Sequence, residues 1–68
     1  MQDVPIRDDV IRLGQFLKLA GIADSGADAA AMLAEDTISV NGEPEQRRGR
    51  QLHKGDVVTT GAQSVRVG

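Results

Sequence analysis

Hydrophobic and polar positions change period along this chain, and the changes outline its elements. Val4 and Ile6 alternate with polar neighbours, as in a short strand, and Pro5 between them confines that strand to an edge. Asp8-Asp9 predicts a turn. From Leu13 the apolar residues Leu13, Phe16, Leu17 and Ala20 follow the i, i+3, i+4, i+7 rule of one helical face, with Arg12, Gln15 and Lys18 off it. Gly14 weakens the first turn. Gly21 is placed to stop the helix in a left-handed conformation. Ser25 then predicts a cap, with Asp28 completing a short-armed capping box. The second helix runs through Ala27, Ala29, Ala30, Ala31, Met32, Leu33 and Ala34, a small-residue surface that allows close approach to the first. Glu35 and Asp36 oppose the dipole at its C-terminus and predict its end.

Beyond Asp36 the period becomes two. Ile38 and Val40 form one arm of a hairpin through Asn41-Gly42, a pair suited to a type I′ turn because both central residues need φ > 0. Residues 43–46 are the second arm, and Pro44 makes that arm an edge or irregular. Residues 47–54 read as a basic connection and Lys54-Gly55-Asp56 as a turn. Val57-Val58-Thr59 and Ser64-Val65-Arg66-Val67 are strands joined through Gly61. Helices followed by strands predict an α+β fold of two layers, with two packed N-terminal helices against a small sheet, in one domain over residues 1–68.

Composition removes several function classes. A chain of 68 residues buries only a modest core. It has no cysteine, so disulfides and thiolate metal sites are excluded. Phe16 is its sole aromatic residue, which argues against a stacking platform for single strands. No apolar run is long enough to span a bilayer, and Met1–Pro5 lacks the basic and apolar regions of a signal peptide, so the expected location is cytoplasmic. His53 has no partners in sequence that suggest a metal ligand or a base. No nucleophile–base pair or paired carboxylates point to catalysis. Phe16 and Met32 are core residues by position.

Charge is distributed unevenly. Residues 1–36 hold seven acids and three bases, and residues 37–68 hold three acids and five bases, for a net charge of -2. Arg47-Arg48-Gly49-Arg50 is the one concentrated positive stretch. Taken alone it reads as a solvated loop pairing with Glu43 and Glu45, or as an anion site, because guanidinium groups fork onto phosphate oxygens.

The residues that decide between these are Arg12-Leu13, Phe16-Leu17-Lys18, Ala20-Gly21, Ser25-Gly26, Ala29, Leu33, Ile38, Val40-Asn41-Gly42-Glu43, Arg47-Arg48-Gly49-Arg50, Leu52 and Gly55-Asp56-Val57. In this order they resemble the ribosomal protein S-four-type RNA-binding domain, or alpha-L motif, over residues 11–60. The likeness is greatest to small stand-alone bacterial members, which carry the same arginine stretch and a C-terminal hairpin, here 57–67. The resemblance implies two packed helices against a mostly antiparallel sheet. It implies RNA binding, with structured RNA or a ribosomal particle as partner, and no catalysis; no cofactor, metal, membrane or small-molecule substrate is expected. Carried over by position, the implied RNA contacts are Arg12, Lys18, Ser25, Gly26, Asn41, Arg47, Arg48 and Arg50. The chain departs from the pattern at Ala30 and Gln51, where basic residues are usual, and at Asp36, where glycine is common.

Three other readings stay open at this point. Helix–Gly21–helix has the outline of a DNA-binding helix-turn-helix, though its second helix offers Asp28, alanines and Met32 rather than base-reading side chains. Val-Asn-Gly-Glu with Gly-Asp-Val and a terminal glycine resembles pieces of a ubiquitin-like sulfur carrier, with the helices in the wrong order. An alanine-rich helix also suits a protein-interaction module.

Overall fold

The computed structural model describes residues 1–61 and 63–68. Among the described residues, seven strands and two helices follow in the order β1 (Gln2–Val4), β2 (Val10–Arg12), α1 (Leu13–Leu19), α2 (Gly26–Ala34), β3 (Ile38–Val40), β4 (Glu43–Pro44), β5 (Gln51–His53), β6 (Val57–Thr60) and β7 (Gln63–Val67). This is an α+β fold with a mostly antiparallel sheet. β1 answers the strand expected near Val4, but β2 also precedes the helices, so they are less strictly N-terminal than the sequence predicts.

Five strands form one sheet in the order β1-β7-β6-β3-β4, in which only β1 and β7 run parallel. Register aligns Val40 with Val58 and Val58 with Val65, and all three are buried. Their alternation with Ser39, Val57 and Ser64 is the period-2 signal that the sequence carries. The core also takes Leu13, Phe16 and Leu17 from α1, Ala29 and Leu33 from α2, and Leu52 from β5. Fully burying a side chain of this size contributes about 1.5–3 kcal/mol.

Two predicted strands differ in extent. β1 ends at Val4, and Ile6 packs against the core from outside it. The second hairpin arm is regular only over Glu43–Pro44, at the sheet edge where Pro44 lacks no needed N–H.

The main departure is a second sheet, the antiparallel pair β2–β5, with Ile11 opposite Leu52 and Arg12 opposite Gln51. β5 lies inside what the sequence presents as a basic connection over 47–54. Only Ile11 and Leu52 of the six residues point toward the core. One inward residue per strand gives no period to detect, and the pairing is long-range.

Helix ends follow local rules. Beyond α1, Gly21 (φ +76°) donates to Lys18 O and Ile22 to Leu17 O, the two bonds of a Schellman stop. α2 starts on Ser25, whose Oγ accepts the Asp28 N–H at 3.1 Å. Asp28 returns its carboxylate to the Asp24 N–H, one residue earlier than a capping box requires. After α2 the same stop recurs, with Asp36 and Thr37 donating to Leu33 O and Met32 O. Asp36 holds the left-handed position (φ +58°), which glycine occupies with less strain.

Asn41 and Gly42 have φ of +53° and +86°, as a type I′ turn needs. At the far end, the Gly68 N–H donates to Val4 O at 2.8 Å. Gly68 is therefore held on the sheet.

Candidate nucleic-acid interface

Three cations from three separate elements meet at one groove. Arg12 sits at the junction of β2 and α1, Lys18 lies in the last turn of α1, and Arg48 is in the loop before β5. With Gly14, Gln15, Gly26, Ala29 and Gly49 they line an open cavity of about 260 Å³. No carboxylate lines it. None of the three makes an ion pair among the described residues.

Backbone bonding explains why Arg48 reaches this place. The first two N–H groups of α1 donate to the loop, Leu13 to Arg50 O at 2.8 Å and Gly14 to Arg48 O at 2.9 Å. Those helix N–H groups would otherwise lack partners. The loop thus serves as the cap of α1, which has no side-chain cap of its own. The Arg48 side chain then runs across Gly14. A Cβ at position 14 would lie 2.5 Å from Arg48 Cγ, so glycine is required there for close approach rather than for a turn. The sequence shows Gly14 only as a weakness in a helix.

Gly26 brings the N-terminal end of α2 to the same groove. Ala29, one helical turn further on, lies on the same face, and by helical spacing so does Ala30, the position where the family pattern usually has a base. Ser25 spends its hydroxyl on capping and does not line the groove.

The remaining predicted contacts are placed elsewhere. Asn41 forms a corner with the β5–β6 turn. Its Nδ2 donates to Asp56 Oδ1 at 3.1 Å, and its Oδ1 accepts the Val57 N–H at 2.9 Å. Asp56 Oδ2 accepts the His53 N–H at 2.8 Å. Partial burial works to raise the Asp56 carboxyl, but the bonds from the His53 N–H and the Asn41 amide outweigh it and hold the group below its usual range.

Arg47 and Arg50 are joined to Glu45. Arg47 Nε lies 3.1 Å from Oε2 and Arg50 Nη1 3.0 Å from Oε1. The reading of a solvated loop paired to nearby acids therefore describes Arg47 and Arg50, with Glu45 rather than Glu43 as the acid, and does not describe Arg48. The Arg47 side-chain bonds, its backbone N–H and the Arg50 bond together bring the Glu45 carboxyl down to about 2, against the opposing effect of burial.

A second open groove adjoins the first at Gln15 and is of mixed character, lined by Pro5, Ile6, Val10, Ile11 and Leu19 together with Arg7 and Asp8. Val10 and Leu19 are exposed. No helix among the described residues is long and apolar enough to cross a membrane.

Both the sequence and the fold of this domain have known counterparts. The sequence model of the S4 domain matches residues 4–68, and the chain belongs to that family. It is similar to "Probable ribosome maturation protein RlbA" of Bacillus subtilis (strain 168), with 51% identity over 55 residues, which are 81% of this chain and 78% of that protein. Among solved structures it resembles the 30S ribosomal protein S4e from Thermoplasma acidophilum, with a TM-score of 0.66 and 23% identity. That match covers 88% of this chain and 32% of the ribosomal protein, so the chain spans about a third of its length. At that identity the likeness establishes the fold.

Proposed function

We propose that this protein binds structured RNA of the ribosome, or of a particle maturing into one, and performs no catalysis. The observation that carries this reading is the convergence of Arg12, Lys18 and Arg48 on a groove without a carboxylate or an internal ion pair. Unpaired cations on a molecule of net charge -2 suit a polyanion that is recognised locally rather than attracted from a distance. The name of the Bacillus subtilis relative points to the same class of partner.

In this reading the three cations contact phosphate oxygens, and the positive end of α2 at Gly26 supports them with backbone N–H groups. Ser25 holds that helix end open. Asn41 shapes the hairpin rather than touching the ligand. With no aromatic side chain available for stacking, discrimination comes from the shape of the RNA and the spacing of its phosphates. A partner of this kind places the protein in the cytoplasm.

The test is a salt-dependent binding titration against ribosomal particles and total cellular RNA, with Arg12→Ala/Arg48→Ala as the variant. Each lost phosphate contact flattens the slope of log K against log salt by about 0.7–0.9, so the double variant loses about 1.4–1.8. Its binding weakens by about 2–3 kcal/mol. Its melting temperature stays at the wild-type value, because neither side chain makes a hydrogen bond or ion pair among the described residues. Equal slopes for the two proteins would remove the groove from the interface. If the wild type binds no RNA, the groove around the exposed Val10 and Leu19 becomes the surface to probe with protein partners.

A further inference from the structure

Glu45 is the buried charged residue among those described, at 7% exposure, between neighbours that lie at the surface. Its Oε2 accepts the backbone N–H groups of Gln46 and Arg47, each at 3.1 Å, together with Arg47 Nε at 3.1 Å. Its Oε1 accepts Arg47 Nη2 at 3.2 Å and Arg50 Nη1 at 3.0 Å. Two successive backbone N–H groups and two guanidiniums are the donor set that proteins present to a phosphate. Here a carboxylate of the chain itself fills that set.

We propose that Glu45 is a positioning residue for RNA binding. It stands in for a phosphate on Arg47 and Arg50, keeps both out of the interface, and fixes the loop so that Arg48 alone of the three arginines is presented to the groove. This rests on the groove reading above.

The geometry supports both halves of the statement. Glu45 is anchored from behind, since its N–H donates to Ile38 O on β3 at 3.0 Å. From that anchor the loop turns through the Arg50 N–H to Arg47 O bond at 3.3 Å and ends on α1 through the carbonyls of Arg48 and Arg50. A loop held at Glu45 and at the start of α1 has little freedom left for Arg48. The masking half follows from bonds already made. The Glu45 side chain is 9% exposed beneath Arg50 at 29% and Arg47 at 77%. Withdrawing either arginine to an RNA phosphate breaks its charge-assisted bonds to the carboxylate, two for Arg47 and one for Arg50, and that loss opposes the exchange. Withholding two of three adjacent cations also lowers affinity for any RNA that merely supplies charge, and this is how specificity is gained by removing attraction to the wrong partner.

The experiment compares wild type, Glu45→Gln and Arg47→Ala in salt-dependent binding to a polyuridine oligonucleotide and to ribosomal particles, after thermal melts have confirmed folding. Glu45→Gln frees two guanidiniums. Its polyuridine slope steepens by about 1.4, at about 0.7 per phosphate on a single strand, and its preference for ribosomal particles over polyuridine falls. Arg47→Ala leaves Arg50 on Glu45, and both of its slopes stay within about 0.3 of wild type, well under one phosphate contact. An unchanged polyuridine slope in folded Glu45→Gln, or a loss of a full contact in Arg47→Ala, overturns the proposal. If Glu45→Gln does not fold, Arg47→Ala decides alone. Failure of the groove reading looks different. Arg12→Ala/Arg48→Ala would then match wild type on ribosomal particles, while the Glu45→Gln and Arg47→Ala slopes on polyuridine still report whether the arginines are masked.

Discussion

The corner at Asn41 and the groove at Arg48 are built from similar exposed polar residues and end in opposite states. At the corner every polar group has a partner. Asn41 uses both ends of its amide, and Asp56 uses both carboxylate oxygens, on residues from β5, β6 and the hairpin. In the groove Arg12, Lys18 and Arg48 make no internal ion pair among the described residues. Satisfied polar groups hold a fold together, and unsatisfied ones that water covers are available to a ligand. The comparison separates residues that a family motif groups together. Asn41 and Arg48 both belong to the expected RNA-contact set, yet one is tied into the structure and the other is left open.

The contrast predicts that stability and binding can be lost independently. Asn41→Ala carries the largest expected effect on stability. It removes two hydrogen bonds, leaves the Val57 N–H without its acceptor, and puts alanine at φ +53°. Together these cost about 2–3 kcal/mol, a fall in melting temperature of roughly 10 °C or more for a domain this small. Below its melting point the variant keeps the wild-type salt slope on ribosomal particles. A flattened slope in folded Asn41→Ala would return Asn41 to the interface.

Acid provides a second way to break the satisfied side. The Glu45 carboxyl is at about 2 in the folded protein against an ordinary value of 4.5. A folded value below the unfolded one means that its stabilisation is fully present above 4.5 and is lost as pH falls from there toward 2. Asp56 and Asp3 are shifted in the same direction, Asp3 chiefly by its hydrogen bond from Arg66, which adds to the loss. Denaturant midpoints measured across this window fall for the wild type. They fall less steeply for Glu45→Gln, and equal steepness in the two would mean that the clamp does not contribute.

The smallest effect belongs to the groove. Ala30→Lys adds a cation beside Gly26 where the family pattern usually has one. The slope on ribosomal particles should steepen by about 0.7–0.9, with melting unchanged to within about 0.5 kcal/mol. No change in slope would mean that α2 lies off the RNA face.

Legibility of the sequence follows the range of the interaction concerned. The first helix and its stop at Gly21, the cap at Ser25, and the type I′ turn at Asn41-Gly42 were all readable, because each is decided by residues within about four positions of one another. The alternation of Ile38, Val40, Val58, Val65 and Val67 was readable for the same reason, since it records which face of each strand is covered. The family likeness added the class of partner and an undivided set of contacts. What stayed hidden was the short β2–β5 pair, with one inward residue in each strand. Gly14 was likewise seen as a flaw rather than as the space through which Arg48 passes.

The sequence by itself determined the local elements, the turn chemistry, and the fact that arginines cluster after a hairpin. Only the tertiary structure decided which arginine is open. That choice depends on β2 and β5 pairing to bring the loop onto the start of α1, and on Glu45 being buried where Arg47 and Arg50 can both reach it. Neither condition leaves a mark in residue order. An ion pair forms by distance and burial, and residues with the same charge in one short stretch are told apart only once the chain has folded around them.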